Sequence, residues 1–207
     1  MKPEEKLAEV AQQAAVCTRC ELHRSRKHAV PGEGPAAAEI MFIGEGPGFY
    51  ENEQGRPFVG AAGKFLDELL AKIGMDRSKV FITNVVKCRP PNNRDPQPEE
   101  LAACRVYLDL QIETINPKVV VTLGRFSMNH FLPNAKISSI HGQVKTVNGR
   151  QVVAMYHPAA ALHQQSLRPV IEADFLRLPE LIKTARPGET GPDQPPEPPK
   201  PKQLSLF

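Results

Sequence analysis

The sequence predicts an α/β protein in which a mainly parallel sheet of four strands carries helices on both faces. Two observations lead there: four short apolar runs rich in Val, Ile and Phe recur along the chain, and stretches of helical spacing separate them. Strand alternating with helix is the pattern that parallel crossovers produce.

The elements can be justified in order. An N-terminal helix precedes Cys17, and the first strand is "EIMFIG" (39 to 44). "AAGKFLDELLAKIG" (61 to 74) has helical spacing, "KVFITNVVK" (79 to 87) is the second strand, and "PEELAACRVYLDLQIETI" (98 to 115) is a long helix. "KVVVTLG" (118 to 124) is the third strand, followed by a short helix at 125 to 132. "QVVAMYH" (151 to 157) is the fourth, and a last helix runs over 168 to 185. From 186 the composition changes: "RPGETGPDQPPEPPKPK" (186 to 202) is nearly all Pro, Gly and charge, too poor in apolar surface to fold. It reads as a disordered, partly polyproline linker. The final "QLSLF" (203 to 207) restores hydrophobicity through Leu204, Leu206 and Phe207, a sticky tip on a tether. The expected organisation is one domain over 1–185, a linker, and a docking peptide.

At 207 residues the chain has the length of one core plus tails. No apolar run approaches twenty residues, and the charged start "MKPEEKLAEV" lacks the apolar stretch of a secretory signal, so a cytoplasmic monomer with no membrane contact is expected. A net charge of +3 permits nucleic acid without demanding it, although residues 19 to 28 gather four Arg or Lys and two His.

Ligands of open parallel sheets bind beyond the carboxyl ends of the strands. There the first strand runs into Gly44-Glu45-Gly46-Pro47-Gly48, the second carries Thr83-Asn84, the third ends at Gly124 and the fourth at His157-Pro158. The glycine loop is not a dinucleotide fingerprint, since Phe49 occupies the third glycine position. Nor is "GAAGK" a phosphate loop, because Phe58 and Phe65 stand where its first glycine and its Ser/Thr belong. Taken singly, the loop reads as a tight turn, Asn84 as a turn cap and His157 as a satisfied core histidine. The convergence of an acid, an amide and an imidazole on one rim points instead to a site.

Four cysteines without an export signal read as thiols, because reducing cytosol keeps disulfides rare. Cys17 and Cys20 form C-x2-C, Cys88 follows the second strand, and Cys104 lies on the next helix. Four thiolates fit an all-cysteine metal site, and the spacing is not the paired C-x2-C of a zinc ribbon, which favours a structural [4Fe-4S] cluster. His23 or His28 could replace one ligand, and a buried unligated thiol is the alternative for Cys104.

The segments "GEGPGFYENEQGRPFVGAAGKFL", "ITNVVKCRPPNNRDP", "VVVTLG" and "YHPAAAL", with cysteines at 17, 20, 88 and 104, resemble the family 4 uracil-DNA glycosylases of bacteria and archaea over roughly residues 10 to 185. The resemblance implies a three-layer α/β/α sandwich around a four-stranded parallel sheet, a [4Fe-4S] cluster, and excision of uracil from DNA as the start of base excision repair. It also implies roles. Phe58 stacks on the extruded base, Asn84 reads its edge, and the main chain at Glu45, Gly46 and Pro47 lines the pocket. His157 bonds uracil O2, Glu45 orients water or stabilises the sugar cation, Glu51 positions, and Leu162 wedges into the duplex. Some positions depart from the pattern: Asn52 replaces an aspartate, "HPAAAL" lacks an aromatic, and His141 stands where many relatives carry arginine. The loop "RPPNNRDPQP" lacks the inserted basic segment of a covalently trapped branch, so turnover is expected. "QLSLF" resembles the peptide with which bacterial repair proteins bind the sliding clamp. The competing readings are a glycosylase for another deaminated base such as hypoxanthine, and a non-catalytic iron-sulfur DNA-binding adaptor of the clamp.

Overall fold

The computed structural model describes residues 1–184. The proposed linker (186 to 202) and the "QLSLF" peptide (203 to 207) lie outside the described residues. In chain order the elements are α1 (Pro3–Val16), β1 (Ile40–Gly44), α2 (Phe49–Gln54), α3 (Ala61–Lys72), β2 (Phe81–Asn84), α4 (Pro98–Ile115), β3 (Val119–Leu123), α5 (Arg125–Phe131), α6 (Ile137–Ile140), β4 (Val144–Val147), β5 (Arg150–Met155), α7 (Pro158–His163) and α8 (Arg168–Thr184).

The sheet order is β2-β1-β3-β5-β4. The four expected strands are present and mutually parallel, with Gly44 opposite Asn84 and Leu123 opposite Met155 in register. β1 and β3 are buried along their whole length because helices cover both faces. Side chains alternate across the sheet: Ile40 and Phe42 join Phe65, Leu66, Leu69 and Phe175 beneath α3 and α8, while Met41 and Ile43 join Leu108 and Ile112 beneath α4. Phe42 and Phe175 stack with centroids 5.9 Å apart, fixing α8 to the sheet.

β4 adds a fifth strand that the sequence reading did not anticipate, antiparallel to β5. Lys145 and Thr146 are exposed on this edge, so the segment has no apolar run to announce it. Its signal was the turn: Asn148 and Gly149 adopt φ of 48° and 73°, the pair of positive angles that a two-residue hairpin needs. At the opposite edge, Glu33 and Ile82 exchange both main-chain hydrogen bonds, at 2.9 and 2.8 Å. The apolar run at 79 to 87 outlasts β2, because Val86 leaves the sheet to pack with Val10, Ala14, Leu22 and the cysteines beneath α1. Among the described residues, no helix is long and apolar enough to cross a membrane.

Candidate active site

The ends of β1, β2 and β5 open into a cleft of about 540 Å³. Glu45, Gly46, Pro47, Glu51, Phe58, Asn84 and His157 all line it. Leu162 does not; it is exposed on α7, between the lining residues Ala160 and His163.

Gly44 decides how tightly this rim closes. A Cβ there would collide with Asn84 Oδ1 and lie 2.6 Å from Phe58 Cζ, so the amide and the ring meet only across a glycine. Phe58 is buried and holds φ at 53°, a left-handed conformation that costs a side-chain-bearing residue about 1–3 kcal/mol. Surrounding contacts over-determine it. Arg77 donates to the carbonyls of Pro57, at 2.8 Å, and Phe58, and a Cβ on Gly63 would overlap the Phe58 carbonyl. Glu51 ties the same loop to α2: Oε1 accepts from the amides of Val59 and Gly60 at 2.9 Å each, and Oε2 from Gly48 at 3.1 Å. A carboxylate so engaged orients backbone rather than moving protons.

The Phe58 and His157 rings stack, with centroids 5.5 Å apart and planes 23° from parallel. His157 caps α7, and its Nδ1 accepts the Ala159 amide at 3.1 Å. A peptide N–H can only donate, so in the neutral ring the proton sits on Nε2. The ring is reached through the cleft mouth yet enclosed by protein, and that burial pushes its pKa down to about 4 against a weaker upward pull from Glu51. At neutral pH the site holds an uncharged imidazole with an Nε2–H donor.

Asn84 is buried, and its Nδ2 has no hydrogen-bond partner. Burial raises the pKa of Glu45, Asp95 adds to that, and Arg125 opposes it. Phe49, Tyr50, Asn93 and Arg94 also line the cleft, and the sequence reading assigned none of them. The sequence signal beside them is the pair Asn92-Asn93, a residue type that tolerates the positive φ both adopt in the loop after Cys88. Asn52 faces away from the cleft chemistry: its Oδ1 accepts the Lys27 amide at 2.9 Å. His141 pairs through Nδ1 with Asp174 at 2.7 Å.

On the other side of the β2 end, Cys17, Cys20, Cys88 and Cys104 line one small cavity and form no disulfide. His23 also lines it, with Nδ1 against the Cys20 carbonyl at 2.8 Å, whereas His28 lies elsewhere, against Asn52. Burial raises the pKa of Cys20 and Cys88 and takes Cys104 to about 11, so thiolates here need a cationic partner. Donors already face the sulfurs: the Lys87 amide lies 3.2 Å from Cys104 Sγ, the Arg19 amide 3.5 Å from Cys17 Sγ, and the Arg26 guanidinium 3.6 Å from Cys88 Sγ. Among the described residues, no group of three or more His, Cys, Asp or Glu has the arrangement of a single-ion site.

A closed apolar platform, a neutral imidazole donor and an orphan amide donor at the carboxyl edge of a parallel sheet define a pocket for a flat, carbonyl-bearing ring. The model of the Uracil DNA glycosylase superfamily matches residues 31–177. The chain is 46% identical over 192 residues to a type-4 uracil-DNA glycosylase of Sulfurisphaera tokodaii, covering 87% of this chain and 86% of that one. It is 47% identical to one of Archaeoglobus fulgidus (88% and 96% covered) and 44% identical to one of Thermotoga maritima (87% and 96%). The chain belongs to the type-4 uracil-DNA glycosylase family within that superfamily.

Proposed function

We propose that the chain extrudes uracil from DNA and hydrolyses its N-glycosidic bond, leaving an abasic site and initiating base excision repair. The observation that carries the pocket assignment is the buried, unpartnered Nδ2 of Asn84. An unsatisfied buried donor costs about 1–3 kcal/mol, which a ligand carbonyl would remove.

In this reading uracil lies on Phe58, where stacking contributes about 1–3 kcal/mol without regard to base identity. Asn84 supplies the discrimination: Nδ2 donates to O4 and Oδ1 accepts from N3–H. Cytosine presents a donor and a bare acceptor at those positions and leaves buried groups unpaired. As the bond between C1′ and N1 breaks, its electron pair passes to the base and is shared with O2. The Nε2–H of His157 donates to that oxygen where charge develops. The oxygen of a water bonds to C1′, and Glu45, a better base for its raised pKa, orients that water and takes its proton. Glu51 holds the 58–60 loop in place, and Leu162 fills the vacated stack.

Cys17, Cys20, Cys88 and Cys104 would hold the [4Fe-4S] cluster. Bound, it would act as a structural staple joining the segment after α1 to the β2 end and α4, with no part in bond breaking. The chemistry of the donor set supports this: four thiols, those of Cys88 and Cys104 buried and those of Cys17 and Cys20 partly so, share one cavity, and N–H donors face the sulfurs of Cys17, Cys88 and Cys104. The "QLSLF" tail would dock a cytoplasmic, monomeric enzyme on the sliding clamp, with Leu and Phe as pocket anchors.

The test is excision from matched oligonucleotides bearing one uracil, one hypoxanthine or neither, read by alkaline cleavage at abasic sites. Cutting confined to uracil is expected. Cutting at hypoxanthine would redraw the pocket, and none from protein with a full cluster would leave the adaptor reading.

A further inference from the structure

Phe49 and Tyr50 open α2 at the mouth of the cleft and are 52% and 59% exposed. The inward side chain of this helix is the polar Asn52, and two aromatics face water, the reverse of what stabilises an amphipathic helix. Exposed apolar surface of this kind marks an interaction site when it adjoins a functional cleft.

The two rings meet edge to face with centroids 5.4 Å apart. The Arg89 guanidinium lies over Phe49, 5.3 Å from its centroid, held by a 2.8 Å bond from Nε to Asn93 Oδ1. Arg94 is spent on Glu100 and Arg125 on Asp95, but no carboxylate pairs with Arg89 among the described residues. A cation with no counterion among the described residues thus lies over one of two adjoining exposed aromatic rings at the mouth of the cleft.

We propose that Phe49, Tyr50 and Arg89 form a second nucleotide site, which stacks the base next to the extruded one on the same strand while Arg89 faces the phosphate between them. This rests on the assignment of the cleft to uracil. Extrusion strips a flanking base of its stacking neighbour, and an aromatic face replaces that contact whatever the sequence. Arg89 adds charge where the backbone must bend into the cleft. The site serves single-stranded DNA most, because there no complementary strand orders the flanking base.

The experiment compares wild type, Phe49→Ala, Tyr50→Ala and Tyr50→Phe on single-stranded oligonucleotides with one uracil, alongside inhibition by free uracil. Each alanine variant is expected to raise KM by about fivefold or more, the lower end of one stacking contact, with the loss in KM rather than kcat. Tyr50→Phe keeps the wild-type KM, and inhibition by free uracil is unchanged because uracil alone reaches only the inner pocket. On a substrate with abasic sites on both sides of the uracil, wild type and variants converge. An unchanged KM in both alanine variants overturns the proposal, as does a penalty that persists on the abasic-flanked substrate. Weaker inhibition by free uracil would make the aromatics a wall of the inner pocket and overturn it too. No excision by the wild type would instead overturn the uracil assignment on which the proposal rests.

Discussion

The Nζ of Lys87 donates to the main-chain carbonyl of Asn84 at 2.8 Å, from a side chain wholly buried between the cleft and the cysteines. Its other acceptors are also neutral, Thr83 Oγ1 at 2.6 Å and Gln111 Oε1 at 2.7 Å, while its own amide faces Cys104 Sγ. One side chain therefore braces the residue that carries the pocket's orphan donor.

Replacing Lys87 by Met removes three bonds and leaves their acceptors in a dry interior. Each stranded acceptor costs about 1–3 kcal/mol, so thermal unfolding should shift clearly downward. Preference for uracil over cytosine should also narrow, measured as the ratio of kcat/KM values. An unchanged ratio in a folded variant would mean that Lys87 serves stability alone.

Asn84→Ala and His157→Ala should each lose excision while retaining the brown colour that the proposed cluster would give. Loss of a donor aimed at developing charge costs about 100- to 1,000-fold in kcat, which single-turnover assays resolve. Full activity in either variant would contradict the pocket assignment.

Gly63→Ala tests the strained loop. The added methyl group overlaps the Phe58 carbonyl, so the ring must leave its place over the cleft. Binding of free uracil, followed by calorimetry, should be lost together with excision. Retained binding would show that the Phe58 conformation is dispensable.

The pH dependence of stability follows from His157. Its pKa is about 4 in the fold against an ordinary 6.5, so between those values the unfolded chain binds a proton that the native state refuses. Stability is full above pH 6.5 and declines as pH falls to about 4, with no further loss from this group below. At about 1.4 kcal/mol per unit the loss is on the order of 3 kcal/mol. Glu45 works the other way, since a carboxyl with a raised pKa favours the fold as acid is added. Urea midpoints of wild type and His157→Asn isolate the histidine: the wild type should fall more steeply from pH 7 to 4. Parallel curves would remove His157 from the account.

Exchanging any of the four cysteines for serine should bleach the brown colour that the proposed cluster would give and lower the melting temperature. A single serine variant that keeps both would take that residue out of the ligand set.

The parallel sheet was legible because β1 and β3 are buried on both faces, which forces continuous apolar runs such as "IMFI" and "VVVTL". β4 was not, because an edge strand with Lys145 and Thr146 facing water carries no such run. Its one mark, Asn148-Gly149, is a turn signal rather than a strand signal. Within the site, Glu45, Asn84 and His157 were legible from strand ends alone, since topology places all strand ends together. The tautomer of His157 was not, as it depends on the Ala159 amide created by α7. Phe49 and Tyr50 escaped because six residues of "FYENEQ" are too few to show which side of a helix faces water.

The two margins of the sheet have a consequence beyond catalysis. A free strand edge offers its unpaired amides and carbonyls to any neighbouring chain. Here β2 is covered by the Glu33 bridge and β4 ends the other side with a tight hairpin and an outward lysine. A second copy of the chain therefore meets one margin already bonded at Ile82 and another that is short and carries a charge, neither of them suited to pairing strand against strand.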